Sequence, residues 1–110
     1  MKISIITATY NSISSLPSTL KSLREQTHND IEWIVVDGGS KDGTIEFLDK
    51  NIRVNDKYVT EPDKGIYDAL NKGIKMASGD IIGFVHSDDF QNNYQRRVNY
   101  IFIKSLIIIP

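Results

Sequence analysis

Four short runs rich in β-branched residues punctuate the chain, and each ends at or close to a polar cluster. They are Lys2 to Thr9, Ile31 to Val36, the weaker Lys57 to Thr60, and Asp80 to Val85. Runs so continuously apolar suit strands buried on both faces, which is the condition of a parallel sheet. Between them the period changes. Ile13, Leu16, Leu20 and Leu23 recur at helical spacing, with Ser14 and Ser15 as N-cap candidates and Pro17 in the first turn. This predicts a helix from about Ser15 to Gln26. Thr44 is placed to cap a short helix on which Ile45, Leu48 and Ile52 share a face. Ile66, Ala69, Leu70, Gly73, Ile74 and Ala77 line one side of a third helix, with Gly79 as its expected C-terminal cap. Trp33 and Tyr67 are expected at or near the core. Strands and helices therefore alternate, with short connections. The fold class this implies is α/β: a Rossmann-like parallel sheet with helices on both faces.

Ligands of such sheets bind outside the carboxyl ends of the strands. The polar clusters lie there: Thr7 to Asn11, Asp37 to Asp42, Asp63 with Lys64, and His86 to Asp89. Asp88 and Asp89 are adjacent carboxylates after a buried strand. They repel each other unless a cation neutralises them, and Mg²⁺ or Mn²⁺ takes such oxygen ligands together with phosphates. Two readings stand for this pair, a metal–diphosphate platform and an ordinary solvated turn. Asp37 precedes two glycines that let a ligand approach the backbone. Its carboxylate is a candidate acceptor for a nucleobase or ribose, or a turn cap, a role that suits Asp42 better. Lys64 either steers an anion or faces water, and His86 is more often a structural residue than a base. No Gly-x-Gly-x-x-Gly follows the first run and no Gly-Lys-Ser/Thr occurs, so the dinucleotide and P-loop fingerprints are absent. A nucleotidyltransferase is disfavoured because its glycine-rich, basic first loop is missing.

Composition narrows the classes further. The chain has 110 residues, no cysteine, and 13 basic against 14 acidic residues for a net charge of −1. Thiolate chemistry is excluded, and no basic footprint for nucleic acid exists. The balance is uneven along the chain. Residues 1–90 hold all 14 acids and carry a net of −4, whereas residues 91–110 carry Arg96, Arg97 and Lys104 and no acid. The run from Ile3 to Ile6 is too short for a signal-peptide core. Ile101 to Ile109 falls far short of the ~20 residues that span a bilayer. The expectation is a cytoplasmic protein, at most one working at the inner face of a membrane.

Four segments in register resemble family 2 glycosyltransferases of the bacterial surface-polysaccharide type: Ile5 to Asn11, Trp33 to Thr44, Glu61 to Ile74, and Ala77 to Asp89. The resemblance spans residues 1–90 and implies the nucleotide-binding half of a GT-A fold. It implies a nucleotide-diphospho-sugar donor, UDP- or GDP-type, and transfer of the sugar with inversion to an acceptor hydroxyl. It places Thr7, Ala8 and Thr9 against the nucleotide, Asp37 on the base, and Asp63 and Lys64 in a loop closing near the nucleotide. Asp88 would face ribose or metal and Asp89 would hold Mn²⁺ or Mg²⁺, with His86 where the family's Asp-x-Asp-type motif has its first acid. The family's general base and acceptor site lie beyond that motif. Residues 90–110 contain no Asp, Glu or His. No catalytic residue is therefore assigned, and the alternative expectation is a truncated, non-catalytic nucleotide-binding remnant. Residues 91–110 are set apart as an atypical apolar and basic tail. It is expected to fold back on the sheet or to seal a homodimer.

Overall fold

The computed structural model describes residues 1–26 and 30–85, and the backbone of 100–103. Its elements run β1 (Ile3–Thr9), α1 (Leu16–Arg24), β2 (Ile31–Asp37), α2 (Thr44–Asn51), β3 (Lys57–Thr60), α3 (Ile66–Met76), β4 (Ile81–Phe84) and β5 (Tyr100–Ile103). The sheet order is β3-β2-β1-β4-β5. The first four strands are mutually parallel and β5 pairs antiparallel with β4.

The two-residue period of a strand explains why both faces are covered. Ile5, Trp33 and Val35 point to one face, where they pack with Leu16 and Leu23 of α1 and Leu48 of α2. Ile6, Ile34, Val36 and Ile82 point to the other, against Ala69 of α3. Trp33, Ile34, Val35 and Val36 are all fully buried, so the centre of β2 is the core of both layers. Burial of each such side chain is worth roughly 1.5–3 kcal/mol. Gly73 lets α3 lie close on β1: a Cβ there would stand 2.5 Å from Ile6 Cγ2.

Several local expectations change. Gly43, at φ +103°, occupies the cap of α2 and Thr44 is its first helical residue. Gly79 is not the cap of α3, which ends at Met76 with Ala77 at the C-cap. Tyr67 is 79% exposed, because the first turn of α3 lies ahead of the buried stretch that begins at Ala69. Of the tail, the backbone of Tyr100–Ile103 has folded back as β5. The burial of its side chains, the rest of residues 91–110 and the homodimer expectation lie outside the described residues. Among the described residues no helix is long and apolar enough to cross a membrane.

Candidate functional site

The register sets Thr9 beside Asp37, and Asp37 beside Thr60, so three strands deliver a polar residue to one point. Asp37 is fully buried. Its Oδ1 accepts from Thr9 Oγ1 at 2.5 Å and from Ser40 Oγ at 2.6 Å. Its Oδ2 accepts from the Ser40 and Gly39 amides at 2.7 and 2.9 Å and from Thr60 Oγ1 at 2.9 Å. Burial pushes this carboxyl up. The donors outweigh it, chiefly the Ser40 side chain and amide and then Thr9 and Thr60, and the net direction is downward. The group is thus held ionised by neutral donors. Gly39, at φ +96°, makes the turn that aims the two amides.

The loop after β1 is tied to the same point. Asn11, at φ +48°, donates its amide to Ser40 Oγ and accepts the Lys41 amide on Oδ1. Asp42 takes the amide of Ile13 and both the amide and the hydroxyl of Thr44, the capping role the sequence favoured for it. The two loops at the carboxyl ends of β1 and β2 therefore form one hydrogen-bonded unit.

The expected site residues meet unequally here. Thr9 and Asp37 are in contact. Ala8 is half-buried beside them on β1, packed with the α3 layer. Thr7 is fully buried, and its hydroxyl accepts the indole N–H of Trp33 at 3.0 Å, so it supports the site from below. Asp63 leans over Gly38, where a Cβ would stand 2.9 Å from Asp63 Oδ2. Lys64 is exposed, and its amide donates to Asp68 Oδ2. β4 ends at Phe84, and the Val85 amide still donates to Ile6 O. His86, Ser87, Asp88 and Asp89 follow in sequence and lie outside the described residues. Among the described residues no group of three or more His, Asp or Glu could hold a metal. Sequence reasoning missed Ser40 and Thr60 as partners of Asp37. The register of β2 on β3, which brings Thr60 in, leaves no trace in a linear pattern.

The family model for Glycosyl transferase family 2 matches residues 4–95, and the chain belongs to that family. An uncharacterized glycosyltransferase of Mycobacterium tuberculosis is 43% identical over 88 residues, covering 79% of this chain and 34% of the relative. A PGL/p-HBAD biosynthesis glycosyltransferase of the same species is 37% identical over 89 residues, covering 78% and 35%. The chain thus spans about a third of the length of the curated relatives it matches. In structure it resembles residues 1–349 of S. aureus TarS in complex with UDP-GlcNAc, at a TM-score of 0.74 and 32% identity over 88% of this chain and 29% of that one. It also resembles a Pyrobaculum calidifontis mannosyltransferase in complex with GDP-Man and Mn²⁺, at 0.70 and 26%, covering 79% and 27%. The fold is therefore the Rossmann-like α/β part of a GT-A glycosyltransferase.

Proposed function

We propose that this chain is the donor-binding region of an inverting glycosyltransferase of cell-surface polysaccharide synthesis. It takes a nucleotide-diphospho-sugar, and the sugar passes to an acceptor hydroxyl by in-line attack. The observation that carries the reading is the prearranged end of β1, β2 and β3, where the buried Asp37 carboxylate locks two loops into one shape. Such preorganisation lowers the ordering cost of binding a flexible ligand. Family membership and the nucleotide-sugar complexes of the structural relatives support it. Thr7, Ala8 and Thr9 form the floor under the nucleotide, and Asp63 and Lys64 line its rim.

Asp88 and Asp89 are proposed to hold Mn²⁺ or Mg²⁺, because they are adjacent carboxylates at the position of the family's Asp-x-Asp-type motif. A bound ion would neutralise charge on the leaving diphosphate. The acceptor site and the base that deprotonates the hydroxyl are assigned to the part of the relatives' length that this chain does not span. The same reading carries a cytoplasmic site of action, at the inner face of the membrane.

Calorimetry with UDP and GDP, with Mn²⁺, with Mg²⁺ and in EDTA, tests the reading. Metal-dependent binding of a nucleoside diphosphate is expected, and Asp89→Ala should weaken it by more than ~1.4 kcal/mol, about tenfold. Equal binding in EDTA would remove the metal from the proposal. Absence of binding under every condition would leave only a folded remnant.

A further inference from the structure

One side chain of α3 reaches both ends of the loop between β3 and α3. Lys72 Nζ lies 2.8 Å from Glu61 Oε2 and 3.5 Å from Asp68 Oδ2, and it donates to the Pro62 carbonyl at 3.5 Å. Asp68 Oδ2 in turn accepts the Lys64 amide at 3.0 Å. Glu61 begins the loop, with its amide still bonded to Asp37 O, and Lys64 stands just ahead of Gly65, which is left-handed at φ +114°. Between these two fixed points the loop leans on the carboxyl end of β2. A Cβ at Gly39 would stand 3.8 Å from Pro62 N, and the Asp63 carboxylate lies over Gly38. Charge matters here as well as contact. Glu61, Asp63 and Asp68 place three carboxylates in and beside this loop, next to a site proposed to receive a diphosphate. Like charges so placed oppose an anion at distances below the Debye length. Lys72 offsets two of the three, and the Glu61 hydrogen bond raises its ammonium above the ordinary lysine value.

We propose that Lys72 is a positioning residue for the donor: through Glu61, Pro62 and Asp68 it fastens the 61–65 loop in the shape that borders the nucleotide and neutralises two carboxylates beside the diphosphate. This rests on the donor-site reading above. An exposed ion pair by itself contributes little to stability. Here one ammonium serves three oxygens, and a loop ordered before the ligand arrives lowers the ordering cost of binding. The effect therefore falls on affinity. Neither core layer includes Lys72, Glu61 or Asp68, so the folded sheet does not depend on them.

Titration of the full 110-residue chain with UDP and GDP in Mn²⁺ tests this on wild type, Lys72→Met, Lys72→Arg, Glu61→Gln and the double variant Lys72→Met/Glu61→Gln. Lys75→Met, an exposed position on the same helix, controls for the loss of one positive charge, and thermal melts check that every variant is folded. Lys72→Met should weaken whichever nucleotide the wild type binds by about three- to fivefold, the scale of a small ion-pair network. Lys72→Arg should restore most of it, because the charge and the reach remain. In the Glu61→Gln background the same Lys72→Met change should cost less, which is the mark of coupling between the two side chains. The wild-type advantage should shrink in about 1 M salt, where the Debye length is about 3 Å. Unchanged affinity in Lys72→Met, with wild type binding, overturns this inference and leaves the donor site standing. An equal loss in Lys75→Met overturns it in favour of overall charge, and a loss undiminished by Glu61→Gln overturns the route through Glu61. No binding of either nucleotide by folded wild type overturns the donor-site reading and this inference with it.

Discussion

Glu32 and Asp37 stand near opposite ends of β2. Both are buried carboxylates ringed by hydroxyls, and they serve different ends. At the amino end, Glu32 Oε2 accepts from Ser4 Oγ at 2.6 Å and from the Ser78 amide at 2.7 Å. Its Oε1 lies 3.4 Å from both Lys2 Nζ and Lys57 Nζ. Burial pushes its carboxyl up, but the bonds from Ser4 and Ser78 and the charge of Lys57 bring it down to about 2. At the carboxyl end, Asp37 has hydroxyl and amide donors and no salt bridge among the described residues. A carboxylate with its own cations joins β1, β2 and the segment after α3 into a closed latch. A carboxylate held by neutral dipoles keeps a negative charge where it ties two loops together. The two ends of β2 are thus fastened by different means, one by cations and one by neutral donors.

The largest expected effect comes from breaking the latch. Glu32→Ala leaves the Ser4 hydroxyl and the Ser78 amide without this acceptor, at about 1–3 kcal/mol for each buried donor left unmet, while Lys2 keeps Ser78 Oγ and Lys57 keeps Met76 O. Asp37→Asn keeps an acceptor for most of its donors and should cost about 1–3 kcal/mol. Urea melts of the two variants compare the ends directly, and equal losses would erase the distinction drawn here.

Acid should act on the same latch. A carboxyl whose folded value lies below its unfolded one stabilises the fold above the unfolded value, and that contribution fades as pH falls toward the folded one. For Glu32 the window runs from the ordinary carboxylate range down to about 2. A shift of that size corresponds to roughly 3 kcal/mol. Denaturant melts from about pH 6 to about pH 2 should lose stability in that window, and Glu32→Gln should flatten the profile. A profile unchanged in Glu32→Gln would assign the acid sensitivity to other carboxylates.

Two glycines sharpen the contrast. A Cβ at Gly79 would meet Ser4 Oγ at 2.6 Å, Lys2 O at 2.8 Å and Ser4 N at 2.9 Å, and the two backbone atoms cannot yield. Gly79→Ala should destabilise by about 1–3 kcal/mol. At Gly38 the nearest atom is the end of the Asp63 side chain, which can swing away. Gly38→Ala should therefore melt within about 0.5 kcal/mol of wild type, like a surface change. A large loss of stability there would mean that the loop itself cannot shift.

A modest effect is also expected beneath the site. Trp33→Phe removes the indole N–H that Thr7 accepts and trims the ring, costing about 1 kcal/mol or somewhat more. Thermal melts would show it, with nucleotide affinity unchanged. A marked fall in affinity would move Thr7 from support into contact.

Much of this molecule is legible in its amino-acid sequence. The β-branched runs and the helical spacing of Leu16, Leu20 and Leu23 are local signals, because side-chain period and backbone period are the same thing. They are enough for the element order, the parallel sheet and the end at which a ligand should sit. The motifs around Asn11, Asp37, Asp63 and Asp89 are enough for the family. The roles of individual residues are another matter. Tyr67 has the look of a core aromatic and stands in solvent, because where a helix overhangs its sheet depends on packing. Gly79 has the look of a cap and proves to be a point of close approach between two chain segments. Asp37 is expected at the ligand end of the sheet and stands there, but its donors Ser40 and Thr60 were not legible in the sequence. Sequence by itself determined which elements form and which end of the sheet is polar. The tertiary structure decided which donors each buried carboxylate holds, because hydrogen-bond saturation depends on partners distant in the chain that only strand register brings together.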